Sequence, residues 1–182
     1  MKRINKKLAH GIPILNIKNG FTLIELILYI AISSIFMLAS VSFAWDVIYG
    51  RVKSYVQQEV NQNMRFASKR ITYEIRNASA ISSVGSSTLT LTMADPDRNP
   101  TVFDVSNGRL RIGYGGSGGC PISSPCPLTS DNVSLTNLTF TNLSQVPNSS
   151  NIQFSITIIS SGDRLEFQES QTYRGAAEIR SQ

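Results

Sequence analysis

The feature that most constrains this chain is an apolar run from Phe21 to Trp45, in which Glu25 is the one charged residue. At a rise of 1.5 Å per residue, 25 residues form a helix of roughly 37 Å, which is enough to cross a hydrocarbon layer of about 30 Å. The run is also too long for the apolar core of an ordinary secretory signal. It therefore predicts a single membrane-spanning helix. Its other polar side chains are hydroxyls: Thr22, Ser33, Ser34, Ser40 and Ser42.

The charges around the run predict its orientation. Five of the 17 basic residues precede Phe21 and no acidic residue does, so the remaining chain has 12 residues of each sign. Basic flanks stay in the cytoplasm. We therefore expect a single-pass protein of the inner (cytoplasmic) membrane, with its N-terminus in the cytoplasm and its larger part outside. Arg51 and Lys53 oppose this orientation only weakly. The five leading cations are Lys2, Arg3, Lys6, Lys7 and Lys18.

The rest of the chain predicts an α+β fold in which a long N-terminal helix packs on an antiparallel sheet. We expect a leader over residues 1–20, the membrane and assembly helix over 21–45, and a globular domain over 46–182. Apolar residues recur every three or four positions, which predicts that the helix continues to about residue 80. Arg70 and Glu74 are expected to pair on its outer side. The apolar positions are Ile48, Val52, Val56, Val60, Met64, Ala67, Ile71, Ile75 and Ala78.

Beyond residue 82, short runs rich in Thr, Val, Ile and Phe predict strands separated by turns. Ser106-Asn107-Gly108 is a hairpin signal, and the glycine-rich stretch 115–119 is expected to be a flexible loop. The last strand is expected to break near Gly175. The predicted strands are Thr88–Met93, Thr101–Val105, Arg109–Tyr114, Ser134–Asn142, Ile152–Ile159 and Arg164–Arg180.

Candidate binding residues are few. Cys120 and Cys126 favour a short disulfide in an oxidising compartment, and a metal site would lack further ligands because the only histidine is His10. Asp95 and Asp97 begin like a calcium loop, but the later glycine and glutamate are missing, so an ordinary turn is favoured. We expect neither metal nor cofactor.

The chain is not expected to be an enzyme. No nucleophile with a neighbouring base and no carboxylate pair at a plausible cleft can be named. Arg98, Arg109 and Arg111 could form a patch for nucleic acid, but the net charge of zero after the leader favours a solvated face. Nucleic acid is thus not expected to bind the domain itself and would be a partner only through a filament.

Glu25 needs an explanation, because a carboxylate in lipid costs about 2.5–3.5 kcal/mol on insertion scales. One alternative is that it extends to the headgroups from the helix end. The other is that the chain is cut between Gly20 and Phe21, so that the new α-amino group pairs with Glu25 of the same or a neighbouring chain.

A basic leader ending in Gly20, followed by Phe-Thr-Leu-Ile-Glu and about twenty apolar residues, resembles the N-terminal signature of type IV pilins and pseudopilins. The resemblance covers about residues 18–45. It implies cleavage after Gly20 and N-methylation of Phe21 by a membrane-bound prepilin peptidase. It also implies assembly with other pilin subunits, on an inner-membrane platform, into a filament at the cell surface or in the periplasm. Glu25, with Thr22 beside it, would register each incoming subunit.

The resemblance therefore suggests a structural subunit, and the elaborate sheet favours a minor pilin over a major one. Filaments of this family serve motility, adhesion, DNA uptake or secretion. Many members have glycine and proline where this chain has Ser34 and Ser42, which leaves the helix without those weak points. The alternative is a single-pass, membrane-tethered binding domain that keeps its leader and never polymerises.

Overall fold

The computed structural model describes residues 20–144, 150–162 and 168–180. The chain divides into two compact units between Asp46 and Val47. One helix, α1 (Leu23–Asn77), contains residues of both units. In the first unit every described residue is exposed. Within the described part of the chain, α1 is the one helix long and apolar enough to cross a membrane.

In the second unit, α1 has one buried face. The face begins at Val60 and recurs at helical spacing, which confirms the predicted amphipathic character from that residue onward. Ile48 and Val52 share the predicted apolar spacing but lie before this face and remain exposed. The buried positions of α1 are Val60, Met64, Ala67, Ser68, Ile71, Glu74 and Ile75.

The strands of the other layer are antiparallel, as the sequence predicts, but they form two sheets rather than one. The first has the order β1-β2-β3-β4-β5 and the second the order β6-β7-β8. A short 3-10 helix, Pro96–Arg98, connects β2 to β3. The strands are β1 (Ala78–Val84), β2 (Leu89–Met93), β3 (Thr101–Ser106), β4 (Arg109–Tyr114), β5 (Cys126–Pro127), β6 (Val133–Asn142), β7 (Asn151–Ser160) and β8 (Ser170–Glu178).

Two boundaries differ from the sequence prediction. The helix ends at Asn77 rather than near residue 80, because Ala78 already pairs with Met93 as the first residue of β1. Sheet pairing thus outweighs the helix propensity of the alanines. Gly175 does not interrupt the last strand, since it pairs with Phe154 inside an unbroken ladder. The start of that predicted strand, residues 164–167, lies outside the described residues.

The turn between β3 and β4 confirms the hairpin signal. Asn107 and Gly108 have φ values of 52° and 69°, and a two-residue turn with both φ values positive matches the right-handed twist of its strands. Leu135 of β6 donates its N–H to the Gly108 carbonyl at 2.7 Å. The hairpin therefore also connects the two sheets.

The glycine-rich stretch 115–119 is not the flexible loop that its composition predicts. Gly115 donates its N–H to the Pro100 carbonyl at 2.8 Å, and Gly118 donates to the Asp97 carbonyl at 2.9 Å. A Cβ at Gly116 would lie 2.3 Å from the Pro96 carbonyl oxygen. Gly115, Gly116 and Gly118 are thus needed for close packing of two backbones.

One apolar core lies between α1 and the inner faces of the sheets. Alternate residues of β7 are buried in it, as expected of strands with one face covered. The buried side chains of this strand are Ile152, Phe154, Ile156 and Ile158. The second unit therefore contains every buried apolar side chain of the described residues.

Candidate functional site

The start of α1 is organised by Thr22. Its carbonyl accepts the Leu26 N–H at 3.2 Å, and its hydroxyl oxygen accepts the Glu25 N–H at 3.3 Å. Because the helix begins at Leu23, Thr22 is the N-cap and Glu25 the third helical residue. This cap satisfies an N–H group that would otherwise lack an intrahelical partner.

The place of Glu25 in the first turn of α1 adds a local reason for a carboxylate that the sequence reasoning missed. The signal was present, because a threonine followed three residues later by glutamate is the capping-box pattern. A carboxylate in the first turn also interacts favourably with the positive end of the helix dipole. Glu25 therefore stabilises the start of the helix whether or not it meets an amine.

The candidate cleavage bond between Gly20 and Phe21 precedes the cap. Both residues are exposed, and a Cβ at Gly20 would meet nothing within 4 Å. The fold therefore does not itself require glycine at this position. The Phe21 ring contacts the Tyr29 ring with a centroid distance of 5.6 Å. Thr22 and Glu25 are hydrogen-bonded to each other, whereas Phe21 contacts the helix through its ring.

Three of the four serines of the apolar run donate a hydrogen bond to the preceding turn of the helix. Ser34 donates to the Ile30 carbonyl at 2.7 Å, and Ser42 donates to the Leu38 carbonyl at 3.3 Å. Ser40 makes the equivalent bond to Phe36. A hydroxyl bonded to the preceding turn exposes no unsatisfied donor to lipid. α1 is continuous through Ser34 and Ser42.

Glu74 is not on the outer side of the helix, as the sequence predicts, but fully buried. Arg70 lies 3.0 Å from its carboxylate, and Arg98 donates to both carboxylate oxygens. The Tyr114 hydroxyl is 3.5 Å away. Burial raises the pKa of Glu74, while the guanidinium groups of Arg98 and Arg70 oppose that rise.

Each of the arginines that suggested a nucleic-acid patch pairs with a different carboxylate. Arg98 pairs with Glu74, and Arg109 pairs with Asp131. Arg111 donates its Nε–H to Asp104 at 2.9 Å. They therefore do not form one cationic patch.

The Asp95–Asn99 turn uses its side-chain oxygens internally. Asp95 accepts the Asp97 N–H at 3.0 Å, Asn99 accepts the Met93 N–H at 3.1 Å, and the Ser117 hydroxyl donates to Asp97. Over the described ranges, no group of three His, Cys, Asp or Glu residues could hold a metal ion.

Cys120 and Cys126 are joined by a disulfide, with their Cα atoms 5.3 Å apart. The bond closes the loop between β4 and β5, directly after the glycine-rich stretch. Cys126 itself pairs with Ile112 of β4. The disulfide thus fastens this loop to the edge of the first sheet.

Comparison with known proteins gives one match. The family described as "Prokaryotic N-terminal methylation motif" matches residues 15–41, and this motif is the signal carried by type IV pilins and pseudopilins. No curated protein matches the chain, and no solved structure does. The motif and the exposed apolar helix together fit a single-pass anchor in the inner membrane.

Proposed function

We propose that this chain, which carries the N-terminal methylation motif of type IV pilin-like precursors, is a minor pilin of a type IV pilus or of a secretion-related pseudopilus. A prepilin peptidase would cut after Gly20 and methylate the amine of Phe21. The mature chain would then leave the membrane as a filament subunit on an inner-membrane assembly platform. Its role is structural and not catalytic.

The observation that carries the proposal is the match over residues 15–41, which includes the first part of an apolar helix that no other described residue covers. From Phe21 to Trp45 no described side chain is buried. Such a surface needs lipid before assembly and neighbouring helices after it. In a membrane, helices associate through close packing and polar contacts. The hydrophobic effect does not drive this association, because lipid is as apolar as the side chains.

The division of the chain follows from the same reasoning. Residues 1–20 act as the leader, 21–45 as the membrane and assembly helix, and 46–182 as the globular domain outside the membrane. Ile48 and Val52 extend the apolar surface into the second unit, where they are 51% and 39% exposed. Neighbouring subunits would therefore also contact the helix beyond the membrane segment.

In this proposal, Glu25 fixes the axial position of each subunit relative to its neighbours in the filament. After cleavage, the ammonium group of Phe21 stands next to the Thr22 cap, close to the Glu25 carboxylate of its own chain or of a neighbour. In a surrounding without water, an unpaired carboxylate is costly. An incoming subunit is thus stable only at the axial position where its charges are paired.

The cleavage test is intact-mass and N-terminal analysis of the protein purified from its own membranes. The wild type should begin at N-methylated Phe21, and a Gly20→Ala variant should keep its leader. Gly50→Ala is the matched control, because a Cβ there also meets nothing within 4 Å. Retention of Met1 in all three proteins would favour a permanently tethered binding domain instead.

The assembly test uses Glu25→Gln, with Asp46→Asn as the control for the other carboxylate of the first unit. Glu25→Gln should be processed normally yet fail to enter sheared filaments, measured by immunoblotting. Asp46→Asn should enter them like the wild type. Normal incorporation of Glu25→Gln would contradict the proposed role of the carboxylate.

A further inference from the structure

We propose that a cleft between the last turns of α1 and strand β8 binds single-stranded nucleic acid, with arginines on the phosphates and a tyrosine against a base. The cleft has a volume of 440 Å³ and lies entirely within the second unit. Its lining residues are Ser68, Lys69, Thr72, Tyr73, Arg76, Asn77, Tyr173 and Arg180.

The cations of this cleft differ from four other arginines of the second unit. Arg70, Arg98, Arg109 and Arg111 each pair with a carboxylate. Among the described residues, no carboxylate lies within salt-bridge distance of the three cations that line the cleft. No acidic residue lines it either, so the cations face the cavity together. They are Lys69, Arg76 and Arg180.

Backbone contacts bring two of these cations together. Arg76 lies in the last turn of α1, and the Arg180 N–H donates to the Arg76 carbonyl at 3.3 Å. Both arginines also line an adjoining cavity of 690 Å³, which continues along β8 past Glu178. The two arginines therefore line both cavities, and Glu178 is the one acidic residue that lines the second.

Two tyrosine rings flank the cations. Tyr73 is 51% exposed and Tyr173 is 42% exposed. Tyr173 is held in place by Phe154, at a centroid distance of 6.0 Å. Phe154 lies close to Gly175, where a Cβ would come within 2.7 Å of its ring. The Tyr173 ring is thus supported by Phe154 and partly exposed to solvent.

This combination identifies the ligand class. Exposed aromatic rings stack on bases whatever their sequence, and Arg and Lys in the same groove neutralise the phosphates between them. The rigid fork of arginine suits phosphate oxygens in particular. A duplex hides its bases, so only a single strand can use both the rings and the cations. A net charge of zero beyond the leader is compatible with this site, because its three cations are gathered in one cleft.

Binding is measured by fluorescence anisotropy of a labelled oligothymidylate with the full chain in neutral detergent. Three phosphate contacts predict a contribution of about −2 to the slope of log K against log salt. Arg76→Gln with Arg180→Gln should reduce the magnitude of that slope by about 1.4. All variants carry the leader cations, so the contribution of the cleft is given by the difference in slope between variants.

Arg174→Gln is the matched control. Arg174 is exposed and next to Tyr173 in β8, but it lines a different cavity, with Thr139 and Gln153. It should leave the slope unchanged. Tyr173→Leu should weaken binding of the single strand several-fold without changing the slope, because a stacked ring carries no charge.

If Arg174→Gln reduced the salt slope as much as the double arginine variant does, the assignment of the site would be overturned. Unchanged affinity for Tyr173→Leu would overturn the nucleic-acid class, as would competition by inorganic pyrophosphate as strong as that by unlabelled oligothymidylate. A duplex of the same length should bind more weakly than the single strand. None of these measurements requires cleavage or assembly, so their failure leaves the pilin proposal intact, and the reverse also holds.

Discussion

Replacing Arg98 by methionine should destabilise the second unit more than replacing its partner Glu74 by methionine. The reason is the difference in burial: the side chain of Glu74 is 0% exposed, whereas that of Arg98 is 24% exposed. Without Arg98 the carboxylate stays in the core with Arg70 and the Tyr114 hydroxyl as its partners. Without Glu74 the Arg98 guanidinium can turn towards water.

The magnitude follows from the remaining partners. Breaking a fully buried pair costs about 3–5 kcal/mol. Since Arg70 stays 3.0 Å from Glu74, we expect about 2–3 kcal/mol for Arg98→Met, and about 1 kcal/mol for Glu74→Met. In the double variant methionines fill the space of both charges, so stability should return to within about 1 kcal/mol of the wild type.

The assay is urea unfolding of the chain from Val47 onward, which contains every buried apolar side chain of the described residues, followed by far-UV circular dichroism. A loss of 2–3 kcal/mol also lowers Tm by roughly 6–12 °C. If Arg98→Met costs no more than Glu74→Met, or if the double variant is the least stable, the reasoning from burial is wrong.

The pH dependence of Arg98→Met follows from the same carboxylate. Burial raises the pKa of Glu74 above 4.5, and Arg98 is the larger of the two charges that lower it. Removing Arg98 therefore raises the folded-state pKa further. The folded chain then holds a proton more tightly than the unfolded chain, so its stability should fall as the pH rises from 4.5 through the folded pKa. Glu74→Met should abolish this slope.

Three further predictions concern the loop and the helix cap. Gly116→Ala should cost about 2 kcal/mol or more in thermal unfolding, because its Cβ would lie 2.3–2.7 Å from the backbone of the turn between β2 and β3. Gly119→Ala, with nothing within 4 Å, should have almost no effect, and equal effects would refute the packing argument. Replacing Cys120 and Cys126 by serine should cost about 2 kcal/mol by the chain-entropy estimate for so short a loop. An unchanged urea midpoint would show that the loop is held without the disulfide. Thr22→Ala should speed amide exchange in the first turn of α1 in micelles by roughly fivefold, as expected for about 1 kcal/mol of lost capping. Thr22→Ser should restore protection.

Local patterns allowed most of the elements to be predicted. The apolar run, the amphipathic continuation from Val60 and five of the strands follow from periods of 3.6 and 2, which neighbouring residues set among themselves. The hairpin at Asn107-Gly108 follows from turn chemistry in the same way. The candidate site at residues 20–25 was also predictable, because its signature is a short motif. The hydrogen bond from the Glu25 N–H to the Thr22 hydroxyl, which the sequence reasoning missed, could also have been predicted from this motif.

Tertiary structure decided everything that depends on partners distant in sequence. Glu74 is buried because Arg98, 24 residues away, donates to it. In the same way, the Ser130 hydroxyl donates to Glu59, 71 residues away. The end of α1 at Asn77 and the ordering of the glycine-rich loop likewise depend on backbones that meet only after folding. Which cations are paired, and which share a cleft, also depends on which side chains folding brings together. No periodicity encodes that choice, because a charge on a helix face looks the same in sequence whether solvent or an arginine covers it.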